Sequence, residues 1–228
     1  MTLSPPNPSR IFDRLEKHYG KLKPVTPLEP YEMVIYANCG YPANDTTCAR
    51  GYEALRKQVG TRPDQILAAS DKQLAALMRL GGIVPELRAT RLKEIAARVQ
   101  RKHGGDLAAA LRGPLPEAKK VLKGFPTIGD PGAEKILLFT RTAPVPAVPS
   151  NCVHVPLRLG LGTAHKSYSA DYRSVQEALR AAVPQGFDSL LRAYLLLQRH
   201  GQELCKRSRP RCEVCPVAGD CRYFQATA

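Results

Sequence analysis

Four of the chain's seven cysteines crowd into one short stretch near its end. Cys205, Cys212, Cys215 and Cys221 follow the spacing C-x6-C-x2-C-x5-C. Thiolates are soft ligands for iron or zinc, and four of them within one polar, proline-containing loop can close around a single metal centre. The short Cys212–Cys215 pair lets two thiolates reach that centre, and Pro216 suits the tight turn after it. Nearby Lys and Arg are expected to lower the thiol pKa values and so assist ligation. Zinc sites more often carry two short pairs, and here there is one. The spacing therefore favours iron–sulfur and keeps four-cysteine zinc as the rival. Cys39, Cys48 and Cys152 read as ordinary core thiols.

A second stretch, residues 115–140, reads as helix, short turn, helix, with the turn at FPTIGDPG. Gly129 permits a tight backbone, Asp130 is a natural N-cap and Pro131 suits the first helical position. Such a turn presents backbone amides, here those of Ile128, Gly129 and Gly132, which could hold a phosphate oxygen without reading a base. A plain helical hairpin is the alternative.

Elements that must position these groups are nearly all helical. A helix capped by Ser9 carries Ile11, Phe12, Leu15 and Tyr19 inward and stops at Gly20; residues 21–30 are a proline-rich linker. Asp45 caps the next helix, with Cys48, Tyr52, Leu55 and Val59 on one stripe, and Gly60 ends it. Ser70 and Gln73 form a capping box before Leu74, Leu77 and Met78. Residues 86–103 place Leu87, Leu92, Ile95 and Val99 inward and Arg88, Arg91, Lys93, Arg98, Arg101 and Lys102 outward. Short helices are expected at 106–112, 115–123 and 132–140, and longer ones at 172–183, capped by Asp171, and 188–200. Prolines bar a regular helix from 141–151. Only Val153–Val155 has strand character.

The chain has 228 residues, 43% of them hydrophobic, enough for one large domain or two small ones. Its net charge of +14 favours a polyanionic partner, nucleic acid first. No apolar run is long enough to span a membrane, and MTLSPPNPSR has no apolar core of a signal peptide. With no secretion signal, an odd cysteine count points to metal rather than a disulfide framework, and the protein is expected to be cytoplasmic and nucleoid-associated.

Hairpin and cysteine loop together resemble the endonuclease III family of helix-hairpin-helix DNA glycosylases. FPTIG (Phe125–Gly129) stands where that family has Leu-Pro-Gly-Val-Gly, and the cysteines repeat its cluster loop in order and distance. EMVIYANCGYPAND (Glu32–Asp45) looks like its first buried helix and the loop beyond, and RLGLG (Arg158–Gly162) like the segment after its catalytic loop, so the likeness runs weakly over nearly the whole chain. The resemblance implies a 4Fe–4S cluster on Cys205, Cys212, Cys215 and Cys221. It also implies double-stranded DNA as partner, gripped by Lys206, Arg207, Arg209 and Arg211 of the cluster loop.

The same resemblance marks three departures. The family's nucleophilic Lys, in G-[RK]-K-[ST]-A, falls on Pro131. Its Asp, in V-D-[TG]-[HN]-V, falls on Pro149, and residues 141–153 hold no Asp or Glu. A Gln that fills the space of a flipped base falls on Pro42. Proline offers no donor, acceptor or nucleophile. Possible substitutes each have a plainer role: Asp130 and Asp45 as caps, Glu134 as an exposed or neighbour-paired side chain, His154 as structural, Tyr36 and Asn38 as core or pocket lining. The expected fold is all-α and two-lobed: residues 30–143 a helical bundle with the hairpin, residues 1–29 and 144–228 the cluster lobe, with a cleft for duplex DNA. The expected function is that of a monomeric iron–sulfur DNA-binding protein without the family's lyase chemistry. The alternative is a divergent monofunctional glycosylase with relocated catalytic groups.

Overall fold

The computed structural model describes residues 7–40 and 45–227. Among them are thirteen α-helices and no strands. The chain divides into two compact units, Val25–Thr142 and Met1–Pro24 with Ala143–Ala228. No helix among the described residues is long and apolar enough to cross a membrane.

Helix α1 (Pro8–Tyr19) belongs to the discontinuous unit. Its cap is Asn7, whose Oδ1 accepts from the Arg10 amide at 3.1 Å, rather than the expected Ser9. Pro8 at the first helical position fixes the start one residue earlier. Ile11, Phe12 and Leu15 are buried, and Gly20 ends the helix at φ +73°.

The continuous unit holds α2 (Pro30–Gly40), α3 (Asp45–Gln58), α4 (Pro63–Ala68), α5 (Asp71–Met78), α6 (Pro85–His103), α7 (Leu107–Ala110), α8 (Leu115–Lys123) and α9 (Asp130–Phe139). Helix α2 is buried on nearly every side, which suits its run Met33–Tyr36. Ser70 caps α5 as expected, accepting from the Gln73 amide at 3.1 Å. In α6 the expected register fails at its start. Leu87 is 45% exposed and Arg88 is buried. Chain entry through Val84 at φ +51° turns Arg88 inward, where Nε donates to the Ile83 carbonyl at 2.9 Å and Nη1 to that of Asn38 at 3.4 Å. The tightest backbone approach among the described glycines is at Gly81, where a Cβ would lie 1.6 Å from the Cys39 carbonyl oxygen.

The remaining helices complete the discontinuous unit: α10 (His154–Leu159), α11 (Tyr168–Ala182), α12 (Phe187–Glu203) and α13 (Arg222–Thr227). The Val153–Val155 segment is not extended. His154 starts α10, Pro156 sits in its first turn where no backbone donor is needed, and Gly160 ends it at φ +80°. Helix α11 starts earlier than expected because Ser167, not Asp171, caps it. Asp171 instead accepts from the His165 amide at 2.6 Å. Two ion-pair clusters hold α1 in this unit. Buried Asp220 pairs with Arg10 and, at 2.8 Å, with Arg14, while Arg192 on α12 bridges Asp13 and Glu16.

Candidate metal centre and nucleic-acid interface

The end of α12 delivers Cys205, a single turn of tight helix carries Cys212–Val214, and a second such turn, Ala218–Asp220, precedes Cys221. The loop closes through backbone bonds, from the Cys205 amide to the His200 carbonyl at 2.8 Å and from the Arg211 amide to that of Leu204 at 2.9 Å. All four thiols are free of disulfides, and all four line one pocket. Yet among the described residues no three His, Cys, Asp or Glu side chains converge tightly enough to hold one ion. Soft donors, count and cavity all fit an iron–sulfur group.

Neighbouring basic residues do not control these thiols as expected. Burial dominates, pushing Cys215 up to about 11 and moving Cys205 and Cys212 the same way. Cluster binding must therefore displace protons from the thiols. A cation from a distant segment does hydrogen-bond one of these thiols. Arg158 on α10 approaches Cys205 Sγ at 3.5 Å, donates to the carbonyls of Lys206 and Arg207 at 2.8 and 2.9 Å, and lies 4.6 Å from the Tyr223 ring centre. His154 Nε2 donates to the Cys205 carbonyl at 2.8 Å, which is the structural role expected for it. With their carbonyls held in this way, Lys206 and Arg207 present exposed side chains, as do Arg209 and Arg211.

In the hairpin, Phe125 and Ile128 are buried between α8 and α9. Thr127 takes φ +64°, a left-handed conformation that disfavours β-branched residues. Asn38 on α2 clamps this turn. Its Nδ2 donates to the Pro126 carbonyl at 3.1 Å and its Oδ1 accepts from the Thr127 hydroxyl at 3.3 Å. Asn38 is thus a turn clamp and Tyr36 a core residue whose hydroxyl donates to the Asp45 carbonyl at 2.8 Å. The Ile128 amide is turned to the Phe125 carbonyl at 3.3 Å, whereas no backbone acceptor is found for Gly129 or Gly132 among the described residues.

Two acidic residues near the turn differ from expectation. Gly129 holds the cap position of α9, and Asp130 is its first helical residue. Its carboxylate pairs with Lys123 at 3.0 Å and Lys119 at 3.3 Å. Burial raises the Asp130 pKa, but the hydrogen bonds from Lys123 and Lys119 outweigh it and hold the carboxyl below the ordinary range. Glu134 is buried rather than exposed, at 3% exposure, and pairs with Lys119 of α8 at 2.5 Å. Lys135 points instead toward Asp45, 3.8 Å away.

One feature is not evident from helical periodicity. Leu80, Ile83, Val84 and Leu87 form an exposed apolar tip, with Ile83 77% exposed. Its only signal in the chain is the pair of apolar residues set between Gly-Gly and Pro in GGIVP.

Residues 205–221 match the iron–sulfur binding domain of endonuclease III. Over 93% of its length the chain is 24% identical to endonuclease III of Sulfolobus acidocaldarius, of which it covers 97%. The chain superposes on a trapped endonuclease III–DNA covalent intermediate with a TM-score of 0.77, at 19% identity, covering 96% of both chains. The chain is endonuclease III-like. Its fold is that of endonuclease III, and its cluster loop matches that protein's iron–sulfur binding domain. It is also 25% identical to the transcriptional activator DEMETER of Arabidopsis thaliana over 76% of its length, but spans only 9% of that protein.

Within this endonuclease III-like frame, Pro131 lies in the first turn of α9 and Pro149 immediately precedes a single 3₁₀ turn, Ser150–Cys152. Pro42 falls outside the described residues.

Proposed function

We propose that this endonuclease III-like chain binds duplex DNA as a monomer, holds its cluster on Cys205, Cys212, Cys215 and Cys221, and lacks the lysine-dependent lyase reaction. One observation carries this reading: prolines stand where the family's nucleophile and carboxylate fall, and no Asp or Glu lies anywhere in residues 141–153. A Schiff base needs an amine and a developing oxocarbenium needs a carboxylate; neither Pro131 nor Pro149 supplies one. Binding is supported by groups that read phosphate rather than sequence. The amides of Gly129 and Gly132, beside Ile128, belong to the start of α9, and Lys206, Arg207, Arg209 and Arg211 extend from a braced loop. The apolar tip at Ile83 and Val84 is suited to entering a base stack. A net charge of +14 favours residence on nucleoid DNA.

A second reading, excision of a damaged base without strand cleavage, draws on one pair. Lys135 sits one turn beyond Pro131 on the same face of α9, with Asp45 beside it.

Single-turnover excision on duplexes carrying different damaged bases, with alkali added afterwards, separates the two. No product on any duplex, with salt-sensitive binding intact, is the expected result. Lesion-specific product that vanishes in Asp45→Asn, Asp130→Asn or His154→Gln would replace the first reading with the second.

A further inference from the structure

His200 lies in the last turn of α12, 1% exposed, and forms part of the cluster cavity wall. Its two ring nitrogens meet different groups. Nδ1 is 3.0 Å from the hydroxyl of Tyr19, at the end of α1. Nε2 is 3.7 Å from Cys215 Sγ. The two rings meet edge to face with centres 6.0 Å apart. A neutral imidazole carries one N–H, and the hydrogen bond at one nitrogen decides which nitrogen holds it. Phenol is the stronger acid and imidazole nitrogen the stronger acceptor, so Tyr19 donates to Nδ1. The imidazole proton then rests on Nε2, aimed at the sulfur.

We propose that His200 is a positioning residue of the cluster: it donates its Nε2–H to the Cys215 thiolate, with Tyr19 fixing the tautomer, and so raises the cluster's reduction potential. A donor at a ligand sulfur withdraws electron density and favours the more negative, reduced cluster. The same contact ties α1 to the cavity across 181 positions of sequence. The inference rests on Cys215 being a ligand.

The full chain, purified anaerobically, is compared with Tyr19→Phe and His200→Leu. Iron and sulfide are counted first. Midpoint potentials are then read by protein-film voltammetry, and Fe–S stretching bands are compared in H2O and D2O. Expected are a more negative potential and loss of the deuterium sensitivity in His200→Leu, and a smaller negative shift in Tyr19→Phe, at wild-type iron content. Should His200→Leu fail to load iron, Tyr19→Phe decides by itself. Unchanged potential and isotope response in every iron-loaded variant would overturn the proposal while leaving the cluster in place. Wild-type protein without iron or sulfide would overturn both, before any variant is made.

Discussion

The side chain of Asn38 donates to the Pro126 carbonyl at 3.1 Å and accepts from the Thr127 hydroxyl at 3.3 Å, so one buried amide on α2 holds the strained turn of the hairpin. Its own backbone carbonyl accepts from Arg88, whose guanidinium also holds the Ile83 carbonyl. Hairpin turn and apolar tip are thereby joined through two residues. Asn38→Ala leaves the Pro126 carbonyl without its donor and should cost about 2–3 kcal/mol in urea unfolding. Thr127→Ala should cost about 1 kcal/mol, since it removes one hydrogen bond while easing the left-handed strain. Both should weaken duplex binding at fixed salt.

Gly81→Ala is a sharper test of packing. Its Cβ would meet backbone rather than a movable side chain, only 1.6 Å from the Cys39 oxygen. The expected loss exceeds about 3 kcal/mol by thermal or chemical unfolding. Gly113→Ala, with nothing within 4 Å of its added Cβ, should be near neutral.

Asp130 places a carboxylate at the helix end proposed to receive phosphate, partnered by Lys119 and Lys123. Asp130→Asn should free Lys123, leave Lys119 on Glu134, and tighten duplex binding roughly threefold or more in fluorescence titrations. The stability effect runs the other way. Because the folded pKa is depressed, the contribution of Asp130 is present above its unfolded value of about 3.9 and is lost as pH falls through the folded one. Below about pH 4 the Asn variant should therefore lose less stability than wild type. The carboxylate is half exposed, so solvent screens this difference.

Neutralising Lys206, Arg207, Arg209 and Arg211 to Gln should weaken binding for all duplex sequences alike. The slope of log affinity against log salt should shrink by about 0.9 for each phosphate that is no longer neutralised. Iron content should stay at the wild-type level, because Arg158 braces this loop through backbone carbonyls.

The cluster loop was legible because its ligands lie close in sequence and ligand spacing carries the chemistry. Capping at Ser70 was legible for the same reason, being a bond between residues three apart. Arg88 was not. A helix pattern leaves its starting register open, and Val84 at φ +51° sets that register through backbone geometry no periodicity reports. Glu134 reads as a surface residue until α8 brings Lys119 to it. Val-His-Val looks extended locally, yet Pro156 in a first turn and Gly160 past the last one make it helical. The roles of Asn38 and His200 rest on partners 88 and 181 positions away, and such pairings exist only in the folded chain.

The membership of α1 in a unit completed by residues 143–228 sets an order of events on the ribosome. Residues 25–142 form a continuous unit that can pack once they have emerged. Helix α1 is made before that unit but docks only after it. His200, its contact at Tyr19, and Asp220, its contact at Arg10 and Arg14, follow 181 to 210 positions later. The same late segment carries all four cysteines. Vectorial synthesis thus leaves amphipathic α1 without its docking site until the cysteine segment has emerged, and chaperone dependence should concentrate in that interval.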